Sequence, residues 1–123
     1  MSCALVALAP PAAAQTAPAG QRHFIQCRSC HTLAAETSTK AGPHLESIVG
    51  RRAGTVRGYA YSPAMRQSSI TWTRATLDAF LKRPGAVVPG TKMAFAGMPD
   101  AVRRTELIDY LQAQQASTRR GRP

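Results

Sequence analysis

The stretch Cys27-Arg28-Ser29-Cys30-His31 constrains this chain more than any other. Two thiols three positions apart fall on nearly the same face of a helix, and an imidazole follows at once. That spacing is the attachment pattern of a c-type haem, in which each thiol forms a thioether with a haem vinyl group and the histidine ligates iron. Two other chemistries use the same residue types. A Cys-x-x-Cys pair serves thiol-disulfide exchange when a strand precedes it and a long helix follows in a βαβ setting, and neither pattern flanks these residues. Zinc needs four donors, which Cys27, Cys30, His31 and either His23 or His44 could supply. With no second Cys-x-x-Cys and no spaced histidine pair, the motif favours haem over a zinc or thiol-redox module.

A chain of 123 residues suits one small domain, whose core is marginal on its own. A buried haem would supply an apolar body for short helices to pack around, so losing it should mean losing the fold. Cys3 to Ala9 is almost wholly apolar and is followed by Pro10, Pro11 and Ala12 to Ala14. Residues 1–14 are therefore expected to be a signal peptide cleaved near Ala14, sending the protein to the periplasm without a transmembrane anchor. The remaining expectations are a flexible lead-in over 15–18, the haem domain over 19–115 and a disordered basic tail over 116–123.

Sixteen Lys and Arg against six Asp and Glu give a formal charge of +10. Such a charge steers a protein toward acidic partners. The basic residues are scattered and accompany no nucleic-acid motif, so nucleic acid is not an expected partner.

Ala19 to His31 reads as a helix with Phe24 and Cys27 on one face. Thr32 to Lys40 reads as a loop, Gly42-Pro43-His44-Leu45 as a turn and Glu46 to Val49 as a short helical turn stopped by Gly50. Ser62 before Pro63 caps a short helix to Gln67. Thr73 caps another, with an apolar stripe of Leu77, Phe80 and Leu81 that Pro84 ends. The prolines and glycines of Pro84 to Met93 predict a shaped loop rather than a regular helix. Asp100 caps a last helix with Leu107, Ile108, Tyr110 and Leu111 at spacings of three and four. The fold class is all-α, with three main helices, short helices and long pocket-lining loops.

In this order the residues resemble class I cytochrome c, the soluble mitochondrial and bacterial c2-like group. The likeness runs from Gly20 to about Gln112 and rests on Gly20, Phe24, the Cys27–His31 motif, Gly42-Pro43, Gly50-Arg51, Tyr59, Tyr61, Trp72, Pro89-Gly90-Thr91-Lys92-Met93, Phe95, Leu107 and Tyr110. The resemblance implies one haem c, covalent through Cys27 and Cys30, in a cytochrome c fold. It implies that His31 and Met93 are the axial iron ligands, that the Pro43 carbonyl orients the His31 ring, and that Arg51, Tyr61 and Trp72 lie near a haem propionate. Phe95 belongs to the same cofactor-binding series, and Gly20 and Phe24 would pack on Leu107 and Tyr110. Elimination also favours Met93: Met65 sits in a predicted helix, Met98 lies beyond the loop, and His23 is too close to the attachment motif.

The chain departs from the family at Phe80, which lacks a frequent hydroxyl, at Met65, where an amide is common, and at Val87, where an aromatic is frequent. Gln21, Gln26 and Gly85 stand where lysine is common in the mitochondrial proteins, leaving Arg28, Lys40 and Lys92 as candidate docking cations. The function implied is a monomeric one-electron carrier, not an enzyme, in a respiratory or photosynthetic chain. Its partners would carry acidic docking surfaces: a cytochrome bc1-type donor and an oxidase or reaction-centre acceptor. An open-site haem enzyme or ligand sensor is the alternative that keeps the haem.

Overall fold

The computed structural model describes residues 18–35 and 40–121. The leader expected over residues 1–14 lies outside them. Among the described residues run α1 (Ala19–Phe24), a 3-10 turn (Ile25–Cys27), α2 (Pro63–Gln67), α3 (Arg74–Lys82), α4 (Pro84–Val87) and α5 (Ala101–Gly121). They contain no strand, only an isolated antiparallel bridge between Arg52 and Thr71. The all-α architecture is the expected one.

The frame is the crossing of α1 and α5. Arg104, Leu107, Ile108, Leu111 and Gln115 are the buried residues of α5, and their spacings of three, one, three and four form one stripe. Gly20 lets the backbones meet, because a Cβ there would run into the Glu106 carbonyl oxygen and Tyr110 Cβ. Phe24, 3% exposed, seals the contact with its ring 6.0 Å from that of Tyr110. Burying a side chain such as Phe24 or Leu107 stabilises the crossing by about 2 kcal/mol each. On its flank His23 Nε2 meets Glu106 Oε2 at 2.7 Å.

Local capping chemistry sets the other helices. Ser62 Oγ accepts from Met65 N at 3.2 Å, with Pro63 in the first turn of α2. Thr73 and Thr76 form a reciprocal capping box on α3, whose Leu77, Phe80 and Leu81 face inward. Asp100 Oδ1 accepts from the Val102 and Arg103 amides at 2.9 and 3.2 Å and starts α5. Arg104, 5% exposed, ties α5 to α3 through Asp78 at 2.8 Å and holds the carbonyls of Met98 and Pro99.

Four local expectations differ. The helix expected over Ala19–His31 is α-helical only to Phe24 and then tightens, with Ile25 N bonding back to Arg22 O and Cys30 N to Cys27 O at 3.1 Å. Pro84 does not merely end α3: at the first position of α4 its fixed φ suits a helix start, so Pro84–Val87 forms one turn where a loop was expected. Glu46 to Val49 turns without becoming helical, because Ser47 takes a left-handed φ of 53°. Residues 116–121, expected in a disordered tail, continue α5. No glycine or proline interrupts them before Gly121, Thr118 Oγ1 donates to Gln114 O, and Arg119 and Arg120 suit the negative end of the helix dipole.

Candidate haem site

The 3-10 turn ends at Cys27, and the turn that follows, closed by Cys30 N and His31 N on Cys27 O at 3.1 and 2.9 Å, brings the second thiol round to the same side. Cys27 and Cys30 are unpaired, partly buried, and both line a cavity of ≈ 300 Å³. Burial, reinforced by Cys30, pushes the Cys27 thiol up to about 11. Redox-exchange cysteines have lowered values, so this thiol is poorly suited to disulfide exchange.

His31 lines the same cavity. Its Nδ1 lies 2.7 Å from the Pro43 carbonyl oxygen, which can only accept, so Nδ1 carries the proton and the Nε2 lone pair is left for a metal. Burial lowers the pKa of the ring, favouring the neutral form that ligation needs. Gly42 makes the close approach possible, because a Cβ at that position would strike the His31 ring. His23, a candidate zinc donor, is engaged with Glu106 instead. Among the described residues no group of three or more His, Cys, Asp or Glu is gathered for a metal ion.

The remaining wall is largely apolar: Leu77, Phe80, Leu81, Leu107 and Leu111 come from α3 and α5. Trp72 packs on Phe80 with ring centroids 4.9 Å apart. Arg51, Tyr61 and Trp72 line the cavity, and so do Pro43, Met93 and Phe95. Arg51 donates to the carbonyls of Glu46 and His44 at 2.8 and 2.9 Å. The Tyr61 hydroxyl accepts from Val56 N at 3.0 Å, and burial raises its pKa. Met98, by contrast, is 5% exposed in the core and does not line the cavity.

Sequence reasoning missed Met65 as a wall residue. The signal was the Ser62 cap, which fixes the register of α2 and turns its third residue inward. It also missed the engagement of Lys92, whose Nζ reaches the Ala60 carbonyl and lies 4.8 Å from the centre of the Tyr59 ring. Tyr59 in turn donates to Ala41 O at 2.8 Å. Three loops that line the cavity are thus clasped together. Lys40 Nζ donates to Arg28 O at 3.3 Å, beside the attachment motif.

His44 Nδ1 is buried without a hydrogen-bond partner. Desolvation, then Arg51, lowers its pKa from 6.5 against a smaller opposing effect of Glu46. Because the folded value is lowered, the unfolded chain binds this proton more readily, and stability must fall as pH drops below about 6.5. A His44→Gln variant is expected to lose part of that acid sensitivity; denaturant midpoints with the same pH dependence as the parent would remove His44 as its source.

The residues fit a haem: two unpaired thiols, a neutral oriented imidazole and a thioether converge on one apolar cavity with a cation in its wall. Comparison with known proteins gives the same class. No family model matches the chain. It is 43% identical over 108 residues to cytochrome c2 of Blastochloris viridis, covering 88% of this chain and 85% of that protein. It is 49% identical over 95 residues to cytochrome c-550 of Nitrobacter winogradskyi, covering 77% and 84%. Among solved structures, cytochrome cH from Methylobacterium extorquens superposes with a TM-score of 0.72 at 38% identity, over 77% of this chain and 95% of that one. The fold and the site thus define a small c-type haem protein.

The chain belongs to the class I cytochrome c family. It carries one covalent haem c through Cys27 and Cys30 and acts as a one-electron carrier between redox partners, not as an enzyme. No helix among the described residues is long and apolar enough to cross a membrane.

Proposed function

We propose that this carrier works in the periplasm with His31 and Met93 as its two axial iron ligands. When bound, haem supplies an iron that gains or loses one electron. The observation that carries the assignment is that His31, with Nδ1 committed to Pro43, and Met93, on a segment without helix, line one cavity. Met65 also lines it, but is held on α2 at 9% exposure by the Ser62 cap. Cys27 and Cys30 fix the group in register with His31. Pro43 holds the proximal ring, and Leu77, Phe80, Leu81 and Phe95 exclude water. Arg51 would offer a cation to the propionates, with Tyr61 and Trp72 beside it in the cavity wall. With both His31 and Met93 holding the iron, no open position would remain for a substrate, which would separate the carrier from a haem enzyme or sensor.

Protein matured in an exporting host should keep its haem through denaturation. A denaturing gel stained for haem should be positive for the parent and much weaker for Cys27→Ala or Cys30→Ala; a blank parent lane would defeat the reading.

Arg28 lies within the attachment motif, Lys40 donates to its carbonyl, and both are exposed, while the Lys92 ammonium is partly engaged. They support docking on acidic surfaces, such as those of a bc1-type donor and an oxidase or reaction-centre acceptor. Electron-transfer rates with an acidic partner are expected to fall by about tenfold or more as ionic strength rises from low to physiological. Rates that ignore salt would remove electrostatic docking.

A further inference from the structure

Gln115 lies at the inner edge of α5, beyond the apolar part of its stripe, and is 8% exposed. Its amide forms a matched pair with one residue of the cavity-side turn: Oε1 accepts from Val49 N at 3.3 Å, and Nε2 donates to Val49 O at 3.1 Å. A buried amide seldom persists without its partners, and this one satisfies both backbone groups of Val49.

That turn is difficult to hold by itself. Ser47 and Gly50 both take left-handed conformations, with φ of 53° and 96°. Gly50 N donates to Trp72 O at 2.7 Å, Arg51 N to Ile48 O at 3.1 Å and Trp72 N to Arg51 O at 2.9 Å. The Arg51 guanidinium is aimed by two carbonyls of the same turn, His44 O and Glu46 O. Val49 is therefore the point at which the C-terminal helix holds the peptide carrying Arg51 and, through it, Trp72.

We infer that Gln115 is a positioning residue for the redox site, setting the placement of the Arg51 cation through the Val49 backbone. The inference rests on the reading of Arg51 as the cation facing buried propionates. A cation held near the iron favours the reduced state, so loosening the turn lowers the midpoint potential.

The test is a thermodynamic cycle on haem-loaded protein using Gln115→Leu, Arg51→Ala and the double variant, with Arg74→Gln as a stability control. Arg74 joins α3 to Asp109 and Gln112 on α5 without touching the turn. Gln115→Leu should shift the potential downward and speed exchange of the Val49 amide, whereas Arg74→Gln should lower only the melting temperature. In the Arg51→Ala background the Gln115→Leu shift should vanish. Persistence of the full shift there would overturn the inference, as would a Gln115→Leu protein with the parent's potential beside an Arg51→Ala protein whose potential falls. No shift from Arg51→Ala itself would instead remove the underlying reading of Arg51, and the inference with it.

Discussion

A Met93→Ala variant is expected to keep its covalent haem, lose the sulfur-to-iron charge-transfer absorption, bind added cyanide or carbon monoxide, and show a lower midpoint potential. A neutral, soft thioether favours ferrous iron, and together with burial and His31 it should hold the potential high. Two controls separate ligation from packing. Met98 is 5% exposed, its amide is bonded to Leu81 O at 2.8 Å, and it lies outside the cavity wall. Met98→Ala should therefore retain the absorption while costing about 2–5 kcal/mol of stability, the usual range for emptying a buried methionine site. Met65→Leu, nearly volume-conserving on α2, should also retain it. An absorption lost in Met98→Ala and kept in Met93→Ala would reassign the ligand.

The second large effect is at the helix crossing. In Gly20→Val the new side chain meets the Glu106 carbonyl oxygen and Tyr110 Cβ, and a helical carbonyl has nowhere to move. Overpacking in cores typically costs about 1–3 kcal/mol, and the backbone on the far side places this substitution at or above the upper end. Separation of α1 from α5 would also expose Phe24 and Leu107, which are 3% and 1% exposed in the intact protein. A fall in melting temperature far larger than that of Gly85→Val, where a Cβ meets nothing within 4 Å, is the expected result. Equal melting temperatures for the two variants would show that the close approach at Gly20 does not matter.

What could be read from the chain was whatever neighbouring residues decide among themselves. The thiol-imidazole spacing is local, as are the Ser62-Pro63, Thr73 and Asp100 helix starts, and each was legible. The apolar stripe of α5 was legible as well, but its two polar members were not. Arg104 and Gln115 are buried only because Asp78, Met98, Pro99 and Val49 arrive from elsewhere to satisfy them. An apolar periodicity cannot announce such residues. Pro84 was misread because proline both stops one helix and starts the next, and which role prevails depends on the chain beyond it. The left-handed Ser47 was invisible for a similar reason, since serine carries no preference for that conformation and the turn is imposed by its surroundings. The ordered series of cavity residues came from resemblance, as Trp72 or Tyr61 alone would read as ordinary core.

The segment bearing Met93 is fixed at both ends and held between them by its own turns, by Met93 and Phe95 packed on the core and by the Lys92 clasp, with no helical ladder. Val88 is buried with its amide on Pro84 O, while Met98 is bonded to Leu81 and Gly97 rests on the Lys82 carbonyl. From Pro89 to Ala96 the chain has no helix, and Lys92 clasps it across to Ala60 and Tyr59. Opening this segment would break the Lys92 clasp and the core packing of Met93 and Phe95 but no hydrogen bond within α1, α3 or α5, and local openings of this kind lie below the free energy of global unfolding. The molecule is thus expected to have two stabilities, one for its helical frame and a smaller one for this strap, and the smaller would decide how long that side of the cavity stays closed.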